Sequence, residues 1–338
     1  MAGNFVYTEE QIHRYFDRVR LPSSSRHVQV GSLSPERQLE TLIVLQKHQL
    51  MQVPFENTVL HYSWHRVIDL DPEHLFDKIV CSHGRGGYCM ENNTLFHIIL
   101  RTLGYSVYMV GARPYDKDLS RYGGLTHCLN IAVINGSRYA IDVCFGSRVP
   151  VLPLRLQDTA VQRHSDPGQM RVRYDSISQA LSPDQKWWIY EHRKDIESPW
   201  VPQYSFADSE FLFDDICCIN WAPAKSPSSF FTQKVVVVKF TTENEVYHGD
   251  RKLESIVDKG LAGTKADTGA IDGALILDGN RLRWRKRGDV VWEQELSSET
   301  ERLDIMSRYF GIAFAPRDVK AIVGTAAAIT RLPRLHLQ

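Results

Sequence analysis

Cys89 stands in a segment whose residue types suit a nucleophilic thiol. Residues 85–89 read RGGYC, so two glycines that permit a sharp turn come just before a helical pattern. A cysteine at a helix N-terminus lies at the positive end of the helix dipole, where free N–H groups favour the thiolate. We therefore predict a lowered pKa and a nucleophilic role for Cys89. The alternative is a small, buried structural thiol.

A hairpin supplies the two partners that such a thiol requires, a base and a group that orients it. His127 lies in THCLNI and Asp142 in AIDVCFG, two strand-like segments joined by the turn dipeptide Asn135-Gly136. A two-residue turn pairs residues 134 and 137 and makes His127 and Asp142 diagonal neighbours on one face. A turn one residue longer would place them on opposite faces. Because an acid in an apolar strand is costly unless paired, the pattern predicts an Asp142–His127 hydrogen bond.

The elements that position these residues change in type along the chain. The first third is helical: Thr8 with Gln11 forms a capping box, and Ser34-Pro35 and Asp71-Pro72 open further helices. A helix is predicted from about Cys89 to Gly104. The middle third has the two-residue period of strands, in YSVYMVGARP, THCLNIAVI and SRYAIDVCFG. Helices followed by antiparallel strands predict an α+β protein.

The last third is mixed. KVVVVKF predicts a strand, and a second hairpin surrounds Asp278-Gly279-Asn280. Helices are predicted over about 299–310 and 316–330, and residues 260–273 are expected to form a loop. The run RLRWRKR at 281–287 alternates as on a strand, so we expect a solvated face, with attraction of phosphates as a weaker idea.

Composition excludes several functional classes. The chain has 338 residues, with 40 Lys+Arg against 40 Asp+Glu, which argues against a nucleic-acid partner. It contains no apolar run of membrane-spanning length and no secretory signal pattern, so we expect a cytoplasmic protein with reduced thiols. Cys81, His83 and Cys89 fit no standard zinc spacing, so no metal is expected.

Five segments together resemble the arylamine N-acetyltransferases. They are VPFEN at 53–57, RGGYC at 85–89, THCLNI at 126–131, DVCFG at 142–146 and SPSSFF at 226–231. The length is similar to that of the fungal branch. The resemblance implies a helical bundle over 1–100 with the nucleophile, a central antiparallel β-barrel over 101–215 with His and Asp, and a C-terminal α/β lid over 216–338.

The resemblance also implies ping-pong transfer of an acetyl group from acetyl-CoA to an arylamine or arylhydrazine, with no permanently bound cofactor. Cys89 would carry the acyl group as a thioester, His127 would move the proton, and Asp142 would orient His127. The Cys89 backbone N–H would stabilise the oxyanion.

The resemblance also implies roles for further residues, and a purely structural role is the alternative for them. Glu56 and Arg85 match a buried ion pair that supports the cysteine loop. Phe145 matches an aromatic residue that lines the acceptor pocket in the family. The alternative is that it only packs in the hydrophobic core. Gly123 and Gly124 match the place where the backbone meets the pantetheine arm of CoA, although mammalian members have Thr-Gly there. Hydroxyl groups are expected near the nucleotide end of CoA at Ser226, Ser228 and Ser229. The alternative is that these serines only form a turn.

Two other readings of the same residues stay open. Some fungal relatives prefer malonyl-CoA, which needs a cation near the distal carboxylate, and Arg113 and Arg148 are the candidates. A thiol hydrolase would use the same Cys89, His127 and Asp142 but release the acyl group to water. Cys144, which stands where the family commonly has glycine, is expected to point toward His127 and narrow the pocket. The sequence does not indicate the oligomeric state.

Overall fold

The computed structural model describes residues 5–165, 167–245 and 269–329. Its helical part comes first in the chain, and each predicted helix start is confirmed. The Thr8 capping box opens α1, Ser34 caps α2, and Asp71 accepts hydrogen bonds from the N–H groups of Glu73 and His74 at α3. The four helices are α1 (Glu9–Arg18), α2 (Pro35–Gln52), α3 (Pro72–Phe76) and α4 (Cys89–Thr102).

A nine-stranded antiparallel sheet curls into a nearly closed barrel in the middle of the chain. The order of its main path is β6-β5-β4-β2-β10-β9-β8-β7, with β3 paired to β2, and β6 approaches β8. The strands are β2 (Ser106–Asp116), β3 (Arg121–Tyr122), β4 (His127–Ile134), β5 (Ser137–Ile141), β6 (Leu154–Arg155), β7 (Val161–Arg163), β8 (Gln169–Asp175), β9 (Trp187–Arg193) and β10 (Val201–Phe206). Helix α4 packs against β2 and β4, so the helical part and the barrel share one core.

A second antiparallel sheet has the order β1-β11-β12-β13-β14. Its strands are β1 (Phe55–Glu56), β11 (Val236–Thr242), β12 (Ile271–Asp278), β13 (Arg281–Lys286) and β14 (Asp289–Glu295). The helices of this part are α5 (Phe213–Lys225), α6 (Phe230–Gln233), α7 (Glu299–Ile305) and α8 (Pro316–Val319). Short turns of 3₁₀ or π helix occupy Ser23–Ser25, Thr58–Leu60, Asp77–Cys81, Met306–Phe310 and Lys320–Ile322. The fold is therefore α+β, as predicted.

Two predictions for the last third are wrong in part. The final helix does not run to residue 330: α8 ends at Val319, and Gly324 adopts a left-handed φ of 79°. The expected loop over 260–273 ends earlier, because Ile271 and Gly273 pair with Thr242 and Thr241 of β11. Residues 260–268 of that prediction lie outside the described ranges.

Candidate active site

Cys89 is the first residue of α4, and its side chain is 3% exposed. The two glycines before it are required by close approaches. A Cβ on Gly86 would lie 1.9 Å from the Pro54 carbonyl oxygen, and one on Gly87 would lie 2.6 Å from Cβ of Glu91. The Gly87 carbonyl accepts a hydrogen bond from the Glu56 N–H at 2.9 Å. The VPFEN segment and the start of α4 therefore fix the position of the cysteine.

The β4–β5 hairpin brings His127 and Asp142 together as its register predicts. Ile134 pairs with Ser137 and Asn130 with Ile141, so the turn has two residues. Nε2 of His127 lies 2.8 Å from Oδ2 of Asp142, and both side chains are almost fully buried. Nδ1 of His127 has no hydrogen-bond partner among the described residues. The ring is thus oriented at one nitrogen and available at the other.

Two amides that the sequence analysis did not identify hold Asp142. Nδ2 of Asn93 donates to Oδ1 of Asp142 at 2.9 Å, while Oδ1 of Asn93 accepts from the Val143 N–H at 3.0 Å. Nε2 of Gln46 donates to the Asp142 carbonyl at 3.2 Å. Asn93 lies one helical turn after Cys89 on α4, and this spacing is the signal that could have found it.

Burial, not the helix dipole, dominates the Cys89 thiol. Burial raises its pKa well above the ordinary value, and the nearby Asp142 carboxylate raises it further. The N–H groups of Met90 and Cys89 act in the opposite direction, as predicted for a helix N-terminus, but they are outweighed. The prediction of a lowered pKa is therefore wrong. Sγ lies 3.9 Å from the carbonyl oxygen of Thr126, the residue before His127. A base must remove the thiol proton before attack.

A buried cluster of four charges lies behind the cysteine loop. Arg85 forms an ion pair with Glu56 at 2.9 Å, as the family resemblance implies, and Lys78 lies 2.5 Å from Glu91 and 3.8 Å from Glu56. Burial favours the neutral form of Glu56, yet Arg85, Lys78 and Thr58 outweigh it and lower the pKa of Glu56 to about 2. Glu91 also accepts from the Tyr88 N–H at 3.2 Å. We name these side chains the charge cluster: Glu56, Lys78, Arg85 and Glu91.

Aromatic rings surround His127. The Phe145 ring centroid lies 4.7 Å from that of His127, and the Tyr204 centroid lies 5.1 Å from it. Tyr190 follows at 5.0 Å from Tyr204. Phe145 was predicted here, whereas Tyr204 and Tyr190 lie on β10 and β9, far along the chain, and nothing local marked them. These rings limit the access of water to the imidazole.

Cys144 does not point toward His127 as expected. Its Sγ lies 3.5 Å from the Gly87 carbonyl oxygen and 3.3 Å from Nδ2 of Asn92. The residue lies beyond the end of β5, so strand alternation no longer determines its direction. Its sulfur supports the glycine loop from the core side.

The residues expected at the CoA end lie in two exposed turns. Gly124 is exposed between β3 and His127, and a Cβ there would meet nothing within 4 Å. The Gly123 N–H donates to the Pro114 carbonyl at 2.8 Å. In the second turn, Ser229 caps α6, while the hydroxyl oxygens of Ser226 and Ser228 are 3.0 Å apart. This turn reaches the site through Phe231, whose ring contacts that of Tyr88 at 5.4 Å.

The two arginines proposed for a malonyl donor have different surroundings. Ala112 pairs with His127, so Arg113 leaves β2 on the opposite face and donates to the Gly123 carbonyl at 3.5 Å. Arg148 lines a cavity with Arg285, and its carbonyl oxygen accepts from the Tyr190 hydroxyl at 2.8 Å. The structure thus does not place Arg113 on the face of His127.

Within the described ranges, no three His, Cys, Asp or Glu side chains are grouped so that they could hold a metal ion. Among the helices of the same ranges, none has the length and apolar content needed to span a membrane.

Solved structures of arylamine N-acetyltransferases have a similar fold. The arylamine N-acetyltransferase of Mycobacterium abscessus aligns with a TM-score of 0.72 at 23% identity, over 92% of this chain and 93% of that one. A Mycobacterium marinum arylamine N-acetyltransferase solved in complex with CoA aligns with a TM-score of 0.67 at 22% identity, over 95% and 97%.

Comparison of the sequence with those of known proteins identifies its family. The N-acetyltransferase family model matches residues 38–270. The N-malonyltransferase FDB2 of Gibberella moniliformis is 32% identical over 265 residues, which are 71% of this chain and 76% of that protein. The chain therefore belongs to the arylamine N-acetyltransferase family and is an acyl-CoA:arylamine N-acyltransferase.

Proposed function

We propose that the chain acylates the nitrogen of an arylamine or arylhydrazine by a ping-pong mechanism in which Cys89 carries the acyl group. The observation that supports this most is the state of the His127 ring. Its Nε2 is bound to Asp142, while its buried Nδ1 has no partner among the described residues. Sγ of Cys89 is in contact with the neighbouring residue, Thr126. A base with one nitrogen free of protein partners, and a thiol that contacts the residue before that base, are the components that nucleophilic catalysis needs.

In the first half-reaction, Nδ1 of His127 takes the Sγ proton as the thiolate attacks the thioester carbonyl of the acyl-CoA. The Asp142 carboxylate stabilises the imidazolium that forms. The new S–C bond remains, the C–S bond to CoA breaks, and His127 returns its proton to the CoA sulfur. The Cys89 N–H at the start of α4 stabilises the oxyanion.

In the second half-reaction, the amine nitrogen attacks the Cys89 thioester. Its proton passes to His127, the C–S bond to Cys89 breaks, and the proton returns to Sγ. The raised pKa of the thiol has a consequence here, because a buried thiolate is a poor leaving group unless His127 protonates it as it departs. The same base therefore serves both halves.

The donor has two candidates. Acetyl-CoA is the default that follows from the family. Malonyl-CoA is favoured by a specific observation, since a relative with 32% identity carries the name N-malonyltransferase. Of the two cations expected to meet the distal malonyl carboxylate, Arg148 remains the candidate, because Arg113 leaves β2 on the face opposite His127. If the variants Arg113→Met and Arg148→Met both leave the ratio of malonyl to acetyl transfer unchanged, neither arginine selects the donor.

Intact mass spectrometry tests the proposal. The protein is mixed with acetyl-CoA or malonyl-CoA without an amine, beside Cys89→Ala as the matched control. We expect a single acyl adduct on the wild-type protein and none on Cys89→Ala, and the donor that forms it identifies the activity as N-acetylation or N-malonylation. No adduct with either donor, while the thiol still reacts with iodoacetamide, would overturn the proposal and favour the thiol hydrolase.

A further inference from the structure

A cavity of about 370 Å³ lies between the barrel and the second sheet. Its volume is within the range of small-molecule sites. Apolar walls come from Phe240 and Ala274 of the sheet and Val201 of the barrel. We call it the basic cavity because five cationic residues line it. Lys194 pairs with Asp289 and Arg193 binds Oε1 of Gln169, and the others are Lys117, Arg148 and Arg285.

Lys117, Arg148 and Arg285 lack counter-charges within the described residues. None of them has a carboxylate oxygen within 4 Å there, and Nε of Arg285 is buried without a hydrogen-bond partner. Asp272 is the described carboxylate in the lining, and it pairs with Lys286 at 3.1 Å. Burial lowers the pKa of Arg148, and the charge of Arg285 lowers it further. The cations therefore repel one another across the interface of the two sheets.

The arginines of the run RLRWRKR on β13 lie in different surroundings. Arg281 lies 3.8 Å from Glu293, and Arg283 lies 3.5 Å from Asp278, so these two are paired on the sheet surface. Arg285 faces the basic cavity instead. The sequence analysis treated the whole run as a solvated face, and this interpretation fits Arg281 and Arg283 but not Arg285.

We propose that the basic cavity binds the phosphoryl groups of a small molecule, with Arg148 and Arg285 as the principal ligands and Lys117 at its exposed side. Arginine forks match phosphate oxygens in bidentate geometry. Several positive charges without a carboxylate partner suit a multiply charged anion, because a single carboxylate would leave most of them unbalanced. The two histidines in the wall, His164 and His192, are neutral at physiological pH, since burial lowers the pKa of His192 to about 3 and that of His164 to about 4.

The phosphoryl groups have two possible sources, the nucleotide end of an acyl-CoA or a free phosphorylated compound. The first source rests on the proposed function, whereas the second does not. Binding is measured on the full-length Cys89→Ala protein, so that the result is independent of turnover and of the fate of the thioester.

Calorimetric titration with pyrophosphate and with 3′-phosphoadenosine 5′-phosphate is the test, with phosphate-free pantetheine as the negative probe. We expect both phosphates to bind and to compete, and Arg148→Gln and Arg285→Gln to weaken the binding at least about tenfold. Arg281→Gln, on the same strand but outside the cavity, should stay within about twofold of the parent protein. Loss of a repelling charge should leave the unliganded melting temperature unchanged or higher.

The outcomes separate the sources. If CoA displaces pyrophosphate, and Arg285→Gln raises KM for the acyl-CoA but not for an acyl-pantetheine thioester, the ligand is the nucleotide end of the donor. Arg148 then does not meet the malonyl carboxylate of the same molecule, because the pantetheine arm separates the two ends. If CoA does not displace pyrophosphate, the ligand is a free phosphorylated compound. The proposal is overturned if pyrophosphate does not bind, or if Arg281→Gln weakens binding as much as Arg285→Gln. Should Arg285→Gln fail to fold, the exposed Lys117→Gln variant provides the same comparison.

Discussion

Two groups of buried side chains hold the segment around Cys89, and they differ in chemistry. Behind the loop, the charge cluster balances Glu56 and Glu91 against Lys78 and Arg85. At the barrel side, the neutral amide of Asn93 holds the single carboxylate of Asp142, and that of Gln46 holds the Asp142 backbone carbonyl. A charged partner binds a carboxylate strongly but compensates its negative charge. A neutral amide positions a carboxylate and leaves its negative charge to stabilise the His127 imidazolium. The fold therefore keeps compensated charges for support and one uncompensated carboxylate for the imidazole.

The substitution Asp142→Asn should have the largest effect on activity. The amide keeps the shape of the carboxylate but cannot stabilise an imidazolium or fix the tautomer with Nδ1 free. We expect kcat/KM to fall by roughly 10³–10⁴-fold while urea unfolding changes little. Steady-state kinetics with an arylamine acceptor measures this, and a loss below about tenfold would mean that Asp142 does not act on His127.

The substitution Lys78→Met should have the largest effect on stability. It leaves Glu91 buried without its cation and removes one partner of Glu56. We expect the free energy of unfolding to fall by about 3–5 kcal/mol, measured by urea titration. The exposed Lys186→Met provides the matched control and should change it by less than about 0.5 kcal/mol. Equal effects of the two variants would contradict the supporting role of the charge cluster.

The charge cluster also predicts a pH dependence. The folded-state pKa of Glu56 is about 2, below its usual value of 4.5. A lowered pKa contributes stability that is complete above 4.5 and is lost as the pH falls toward 2. The difference in unfolding free energy between the wild type and Glu56→Gln should therefore shrink between about pH 5 and pH 3. A difference that stays constant over this range would show that the charge of Glu56 is not what stabilises the loop.

The substitution Asn93→Ala tests the amide side. It removes one donor to Asp142 and one acceptor from the Val143 N–H, so the carboxylate loses its position against His127. We expect kcat to fall by about 10–100-fold with little change in KM for the donor, since hydrogen bonds to charged groups contribute about 1.5–3 kcal/mol. A rise in KM with kcat unchanged would indicate a general loosening of the fold instead.

The substitution Cys144→Ala should have the smallest effect. Its sulfur contacts the Gly87 carbonyl and the Asn92 amide. We expect a loss of about 1 kcal/mol in unfolding free energy and kcat/KM within about threefold of the wild type. A large change in acceptor preference would show that Cys144 does narrow the pocket.

Local signals predicted the parts of the site that are close in sequence. The Asn135-Gly136 turn determined which residues of β4 and β5 face each other, and the His127–Asp142 bond follows from that register. The glycines before Cys89 indicated a sharp turn ahead of the helix, and the structure adds that they allow close approaches to Pro54 and Glu91. These features depend on turn geometry, which a short segment specifies almost alone.

Features that depend on distant partners could not be predicted. Lys78 joins two carboxylates, and Tyr204 reaches His127 from another strand, without any local pattern. The final helix stops although residues 325–329 read TAAAI, because Gly324 turns left-handed and the Ala327 carbonyl accepts a hydrogen bond from buried Arg302. The N–H groups at the start of α4 do lower the pKa of Cys89, as expected. Burial raises that pKa by more, and burial depends on the whole fold.

The central claim is that Cys89 holds the acyl group until an amine arrives. To test it, the acyl-enzyme is prepared with the donor that labels it, freed of excess donor, and divided between buffer and buffer with an arylamine. Intact mass then follows the loss of the adduct, and chromatography identifies the product. The account predicts that the amine accelerates the loss and receives the acyl group as an amide. Loss at the same rate in both samples, with release of the free acid, would contradict it.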